Sequence, residues 1–107
     1  MTVVASGAYD VAGQSEKMPA RLHQPVRSAD DRAWECRVEI GAPLNISRLA
    51  YGETSLQALI LGLKFLSILL YSSDLYRRGE LGIDGMFGGD LFVPATKEFL
   101  DTAPYPF

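Results

Sequence analysis

Tyr51 to Gly79, YGETSLQALILGLKFLSILLYSSDLYRRG, carries one helical pattern with both ends marked. Thr54 and Gln57 stand at capping-box spacing: the hydroxyl is placed to accept a first-turn N–H, and the Gln side chain to reach back to the cap N–H. Arg77 and Arg78 suit the negative end of the helix dipole, and Gly79 suits the left-handed residue that closes a helix. The pattern therefore predicts a single helix over 54–78. At 100° per residue, Gln57, Lys64, Ser67, Asp74 and Arg78 share one narrow polar sector. Ala58, Leu59, Leu61, Gly62, Leu63, Phe65, Leu66, Ile68, Leu69 and Leu70 occupy the other side. That arc is roughly twice the ~100° stripe of a helix packed on one partner.

Three covers compete for so wide a face. A membrane span needs ~20 mostly apolar residues, and Lys64 interrupts a run of about 16 here, so no span is expected. A sheet on one flank and the C-terminal tail on the other would bury the arc within the chain. Alternatively, Ala58, Gly62, Phe65 and Leu69 form an interface with a second copy or a protein partner. Glycine in mid-helix costs about 1 kcal/mol relative to alanine, so Gly62 points to close packing without saying against what.

Upstream, residues 33–40, AWECRVEI, alternate. Trp34, Cys36, Val38 and Ile40 face one way and Glu35, Arg37 and Glu39 the other, as in a strand with one buried and one wet face. Met18 to Arg27 alternates more weakly, and Pro25 argues there for an edge or irregular strand. Residues 28–32, SADDR, suit the hairpin loop between them. A further strand is expected over Leu44 to Tyr51, with a bulge or register change because Ile46 and Leu49 are out of phase. A short strand is expected over 2–5, and a loop over 6–17, with residues 1–17 partly flexible.

Beyond Gly79 the texture changes. Glycines at 79, 82, 85, 88 and 89 predict a mobile connection with positive-φ positions. Leu91 to Pro94 reads as a short strand, 95–101 as one or two helical turns, and 102–107 as an extended tail. These elements make an α+β domain: an antiparallel sheet of about four strands packed by one long helix in the C-terminal half. A chain of 107 residues fits one domain with one core.

Composition excludes several function classes. Apolar residues are 48% and charged residues 21%, too apolar for disorder. The net charge of −3 comes with no run of Lys and Arg, so no nucleic-acid footprint is present. A lone cysteine excludes an internal disulfide and cysteine-based zinc spacing. MTVVASGAYD lacks the basic start and apolar stretch of a signal peptide, so a cytoplasmic location is expected.

Chemistry finds little to work with. The Gly-rich stretch lacks the Gly-Lys-Ser/Thr of a phosphate loop and the acids of a calcium loop. It also follows a helix, where a dinucleotide fingerprint follows a strand. His23, the sole histidine, is expected to be exposed on its strand. Cys36 falls on the buried face with no basic neighbour to activate it. Glu35 and Glu39, with Arg37 between them, read as a solvated strand surface, and Trp34 as a core anchor. No catalytic residue, cofactor or metal is expected.

Trp34-x-Cys36-x-x-x-Ile40, Gly52-Glu53-Thr54-Ser55-Leu56-Gln57-Ala58-Leu59 and Gly-Gly-Asp-Leu-Phe-Val-Pro at 88–94 together resemble a family of small uncharacterised bacterial domains. Its members read W-x-C, then I-x-G, then G-x-D-S-x-Q-A-L. The resemblance covers about residues 18–95, with Thr54 in place of the usual Asp. It implies a short antiparallel sheet under one long helix and brings no activity with it. The expected function is a non-enzymatic interaction protein, like immunity proteins in size and acidity. The alternative is a small-molecule binder with an apolar site between helix and sheet.

Overall fold

A computed structural model describes residues 2–93. Its elements are β1 (Val3–Val11), β2 (Met18–His23), β3 (Val26–Arg27), β4 (Trp34–Ile40), β5 (Ile46–Gly52), α1 (Ser55–Tyr71), α2 (Asp74–Arg77), β6 (Leu81–Ile83) and β7 (Met86–Phe87). All strand pairs are antiparallel. The architecture is α+β.

The sheet is wider than the four strands expected. Its order is β3-β4-β2-β1-β6-β7, with β5 also pairing β4. β5 pairs β4 along its whole length, from Trp34 opposite Gly52 to Ile40 opposite Ile46. β2 pairs with residues 38–40 of β4 and β3 with residues 34–35, so these two share the remaining edge. Pro25 sits in the break between them, where no ladder N–H is required. β2 is thus central, flanked by β1 and β4. The bulge or register change expected in β5 is absent, because Leu49 sits on the wet face opposite Arg37. The slip occurs instead between Val3 and Ala5 of β1.

The loop expected over 6–17 is a strand as far as Val11. Small residues at 5–8 conceal the alternation, which becomes visible only where Tyr9 and Val11 turn into the core. The Gly-rich stretch forms the β6–β7 hairpin, in which Asp84 (φ 52) and Gly85 (φ 78) make the mirror-image turn that suits a two-residue connection. Gly82 permits it: a Cβ there would lie 2.2 Å from the Met86 carbonyl oxygen. Residues 91–93 are not a strand. The expected turns at 95–101 and the tail at 102–107 lie outside the described residues.

The helix expected over 54–78 is two helices. Thr54 caps α1, its hydroxyl accepting from the Gln57 N–H (3.0 Å), while the Gln57 side chain accepts from Glu53 N–H (2.6 Å), one residue before the cap. Such a cap stabilises by about 1 kcal/mol. The helix stops at Ser72-Ser73. The Ser72 hydroxyl donates to the Ile68 carbonyl, and Ser73 turns extended (ψ 151) to cap α2. Gly79 (φ 71) then closes α2, with its own N–H on Tyr76 O and the Glu80 N–H on Leu75 O.

α1 packs across β4 and β5 and reaches β2. Its buried side includes Ala58, Gly62, Leu66 and Leu70. Trp34, Cys36, Val38 and Ile40 meet it as expected, with Trp34 half-buried beneath the Arg27 guanidinium at 5.4 Å. The expected polar sector does not hold together. Lys64 and Ser67 are buried, and the Ser67 hydroxyl donates to the Leu63 carbonyl in the turn below. Burial lowers the pKa of the Lys64 ammonium.

Candidate functional site

The four residues read as an interface do not form one surface. Ala58 and Gly62 lie under the chain's own sheet. A Cβ on Gly62 would stand 2.7 Å from Cys36 Sγ and 3.0 Å from Leu22 Cδ1, so the close approach inferred from this glycine is made to β4 and β2. Leu69 is half-buried, and Phe65 remains exposed. Leu56, Ile60 and Ile68 are the other exposed apolar residues of α1.

The polar candidates are occupied or enclosed. His23 is buried, against the exposed position expected, because β2 is an inner strand with neighbours on both sides. Its Nε2 is paired with Glu39 Oε1, and its Nδ1 is buried with no partner among the described residues. An imidazole with one nitrogen taken and the other sealed cannot reach a substrate proton. Cys36 is fully buried, its thiol donating to the His23 carbonyl (3.3 Å), and burial pushes its pKa up, away from the nucleophilic thiolate. Among the described residues no group of three His, Cys, Asp or Glu side chains is placed to hold a metal ion.

What the structure offers instead is a groove. α1 leaves β1 uncovered, and small residues on β1 and β2 widen the gap between sheet and helix. The result is a cavity of about 280 Å³. Its β1 wall runs from Ala5 to Tyr9, and Ala20 and Leu22 come from β2. Leu63 and Leu66 of α1, Ile83 of β6 and residues 91–93 complete it. Among the described residues no lining residue is charged. Ala5, Ser6, Gly7 and Ala8 are exposed, so the groove opens along the β1 edge.

Three tyrosines fix the far wall. Tyr9 O–H donates to Leu91 O (3.1 Å), and Tyr71 Oη accepts from the Leu91 N–H (3.0 Å). Tyr76 O–H reaches the carbonyls of Gly88 and Gly89 at 3.2 and 3.0 Å. The Tyr71 and Tyr76 rings meet edge to face at 5.0 Å. Burial raises the pKa of Tyr9, with Tyr71 adding to it, and burial also raises that of Tyr71. The segment so held carries Phe92 at φ 58, the residue 77% exposed at the groove. A bulky residue in that conformation costs about 1–2 kcal/mol, and the Asp90 carboxylate holds it by accepting the Phe92 N–H (2.8 Å). Sequence reasoning missed this wall, because three tyrosines spaced 62 and 5 residues apart carry no periodic signal.

A family model described as a domain of unknown function, DUF6968, matches residues 8–94. The chain belongs to the DUF6968 family. The match takes in α1, β6 and the 91–93 wall of the groove, while Ala5, Ser6 and Gly7 precede it. Membership of DUF6968 carries no assigned chemistry. No curated protein matches the chain, and no solved structure matches it. Among the described residues no helix is long and apolar enough to cross a membrane.

Proposed function

We infer that this protein works by non-enzymatic binding to another protein, and that the groove beside β1 is its contact surface. The observation that carries the reading is an open groove, rimmed by exposed apolar residues, with no charge among its described lining residues. Phe92 stands there in a strained conformation, exposed at the mouth of the groove. Strain of this kind concentrates at functional sites, ligand clamps and switch regions among them.

An immunity-type contact, an acidic face laid on a basic partner, draws less support. Glu35 and Glu39 of β4 are interleaved with Arg37 and cross-strand Arg21. The second reading, an apolar small molecule between helix and sheet, is favoured by the lining but not by size: the groove lies just below the ~300–1,000 Å³ that enclose a drug-sized ligand.

Photo-crosslinking in cells tests the first reading. A benzophenone residue at position 92 or 5 is expected to form a protein adduct, and one at Ser47, on the opposite face, is not. Adducts at neither groove position, together with a thermal upshift in decanol, would favour the small-molecule reading.

A further inference from the structure

We propose that the groove takes an extended peptide strand, added antiparallel to the open edge of β1 with its alternate apolar side chains entering the cavity. This rests on the reading of the groove as a contact surface and says what chemistry occupies it. The parity of β1 is fixed where it meets β6: the Ala12 N–H donates to Glu80 O (2.8 Å), so that side of the strand belongs to β6. Backbone groups alternate sides along an antiparallel strand. Ala8 and Ser6 therefore turn their N–H and C=O groups to the same edge as Ala12.

β6 uses only the upper part of that edge, pairing Asp10 with Gly82 and Val11 with Leu81. The next step of the register sets Ile83 against Tyr9, and there the chain turns away through Asp84-Gly85. From Ala8 to Ala5 the edge has no pairing partner among the described residues. Proteins that keep an edge free protect it with lysine, proline or inward charges. Residues 3–9, VVASGAY, contain none of these. An added strand would continue the line of β6, giving main-chain hydrogen bonds to Ser6 and Ala8 while the cavity selects side chains.

The same geometry decides the occupant. A second copy pairing β1 to β1 would offer Ala5 and Gly7 to the inner side, leaving the cavity beside Leu63 and Leu66 unfilled. The described lining, which carries no charge, also gives a charged segment no counterpart. An uncharged stretch with branched aliphatic residues at alternate positions fits both the edge and the cavity.

Amide exchange on the full chain tests this with three probes. They are a capped hexapeptide of alternating valine and threonine, the same peptide N-methylated on the amides facing β1, and decanol. The plain peptide is expected to slow exchange at Ser6 and Ala8 and leave Ala5 and Gly7, whose amides face β2, unchanged. Losing two hydrogen bonds should weaken the methylated peptide roughly tenfold or more. Gly7→Val, whose Cβ meets only ordinary contacts with the Tyr9 ring at 3.6–3.8 Å, should keep the fold and weaken the plain peptide by plugging the cavity. Equal binding of the two peptides, or equal protection by decanol, would overturn strand addition. So would Ser6 and Ala8 amides already protected in the free protein at high dilution, because the edge would then be covered by the chain itself or a second copy. Failure of the peptide alongside a crosslinked partner at position 92 would refute strand addition and leave the binding reading standing.

Discussion

Gly62→Ala probes the junction on which the fold depends. The new methyl would stand 2.7 Å from Cys36 Sγ and 3.0 Å from Leu22 Cδ1, where comfortable contacts are about 3.5–4.0 Å. Cys36 is fully buried and its Sγ is tethered to the His23 carbonyl, so it yields poorly. Overpacking costs about 1–3 kcal/mol, and alanine returns about 1 kcal/mol of helix propensity. With an overlap near 1 Å the upper half of the range applies, leaving a net loss of about 1–2 kcal/mol. Removing the thiol in a Cys36→Ala background leaves the new methyl 3.4 Å from Cβ of residue 36, with the terminal methyl of the Leu22 side chain at 3.0 Å the remaining close contact. Urea unfolding of the four proteins in the cycle should therefore give a coupling of about 1 kcal/mol or more between the two sites. A rise of about 1 kcal/mol in Gly62→Ala alone, the behaviour of an exposed helical glycine, would refute this packing. Independent effects of the two substitutions would do the same.

Three further outcomes follow from the structure. Gly82→Ala places a methyl 2.2 Å from a backbone oxygen, so it should lose about 3 kcal/mol and release the Gly88 amide, which donates to Leu81 O, to fast exchange. Tyr71→Phe deprives the Leu91 N–H of its acceptor, costing about 1–3 kcal/mol, and Leu91 exchange should rise with it. Tyr9 has its pKa raised above 10.0 by burial, so its protonated form favours the fold. That stability is whole below pH 10 and is lost as pH rises through the folded value. Unfolding midpoints should fall above about pH 10, less steeply in Tyr9→Phe.

The sequence displayed some of this structure plainly and hid the rest for physical reasons. β4 announced itself because its two faces differ in polarity at every step from Trp34 to Ile40. The Thr54 cap and the Gly79 stop were legible because each is a local hydrogen-bond device. The break at Ser72-Ser73 was not, since two serines satisfy backbone groups from side chains without disturbing the apolar pattern around them. β1 was hidden by Ala5, Ser6, Gly7 and Ala8, which carry too little side chain to show alternation. Those same residues open the groove, so the feature that concealed the strand also makes the candidate site. Gly62 told of a close approach, but the partner was a matter of tertiary packing: Cys36 and Leu22 lie 26 and 40 residues away. His23 misled because an outward-facing residue on a central strand has neighbours on both sides.

Position-specific crosslinking with and without a plugged groove tests the central claim most directly. A benzophenone at position 92 of the full chain should yield a defined protein adduct in cells, and Gly7→Val should abolish that adduct while leaving the unfolding midpoint within a few degrees. An adduct that persists unchanged in Gly7→Val, or that forms equally from Ser47, would contradict the groove as the contact surface.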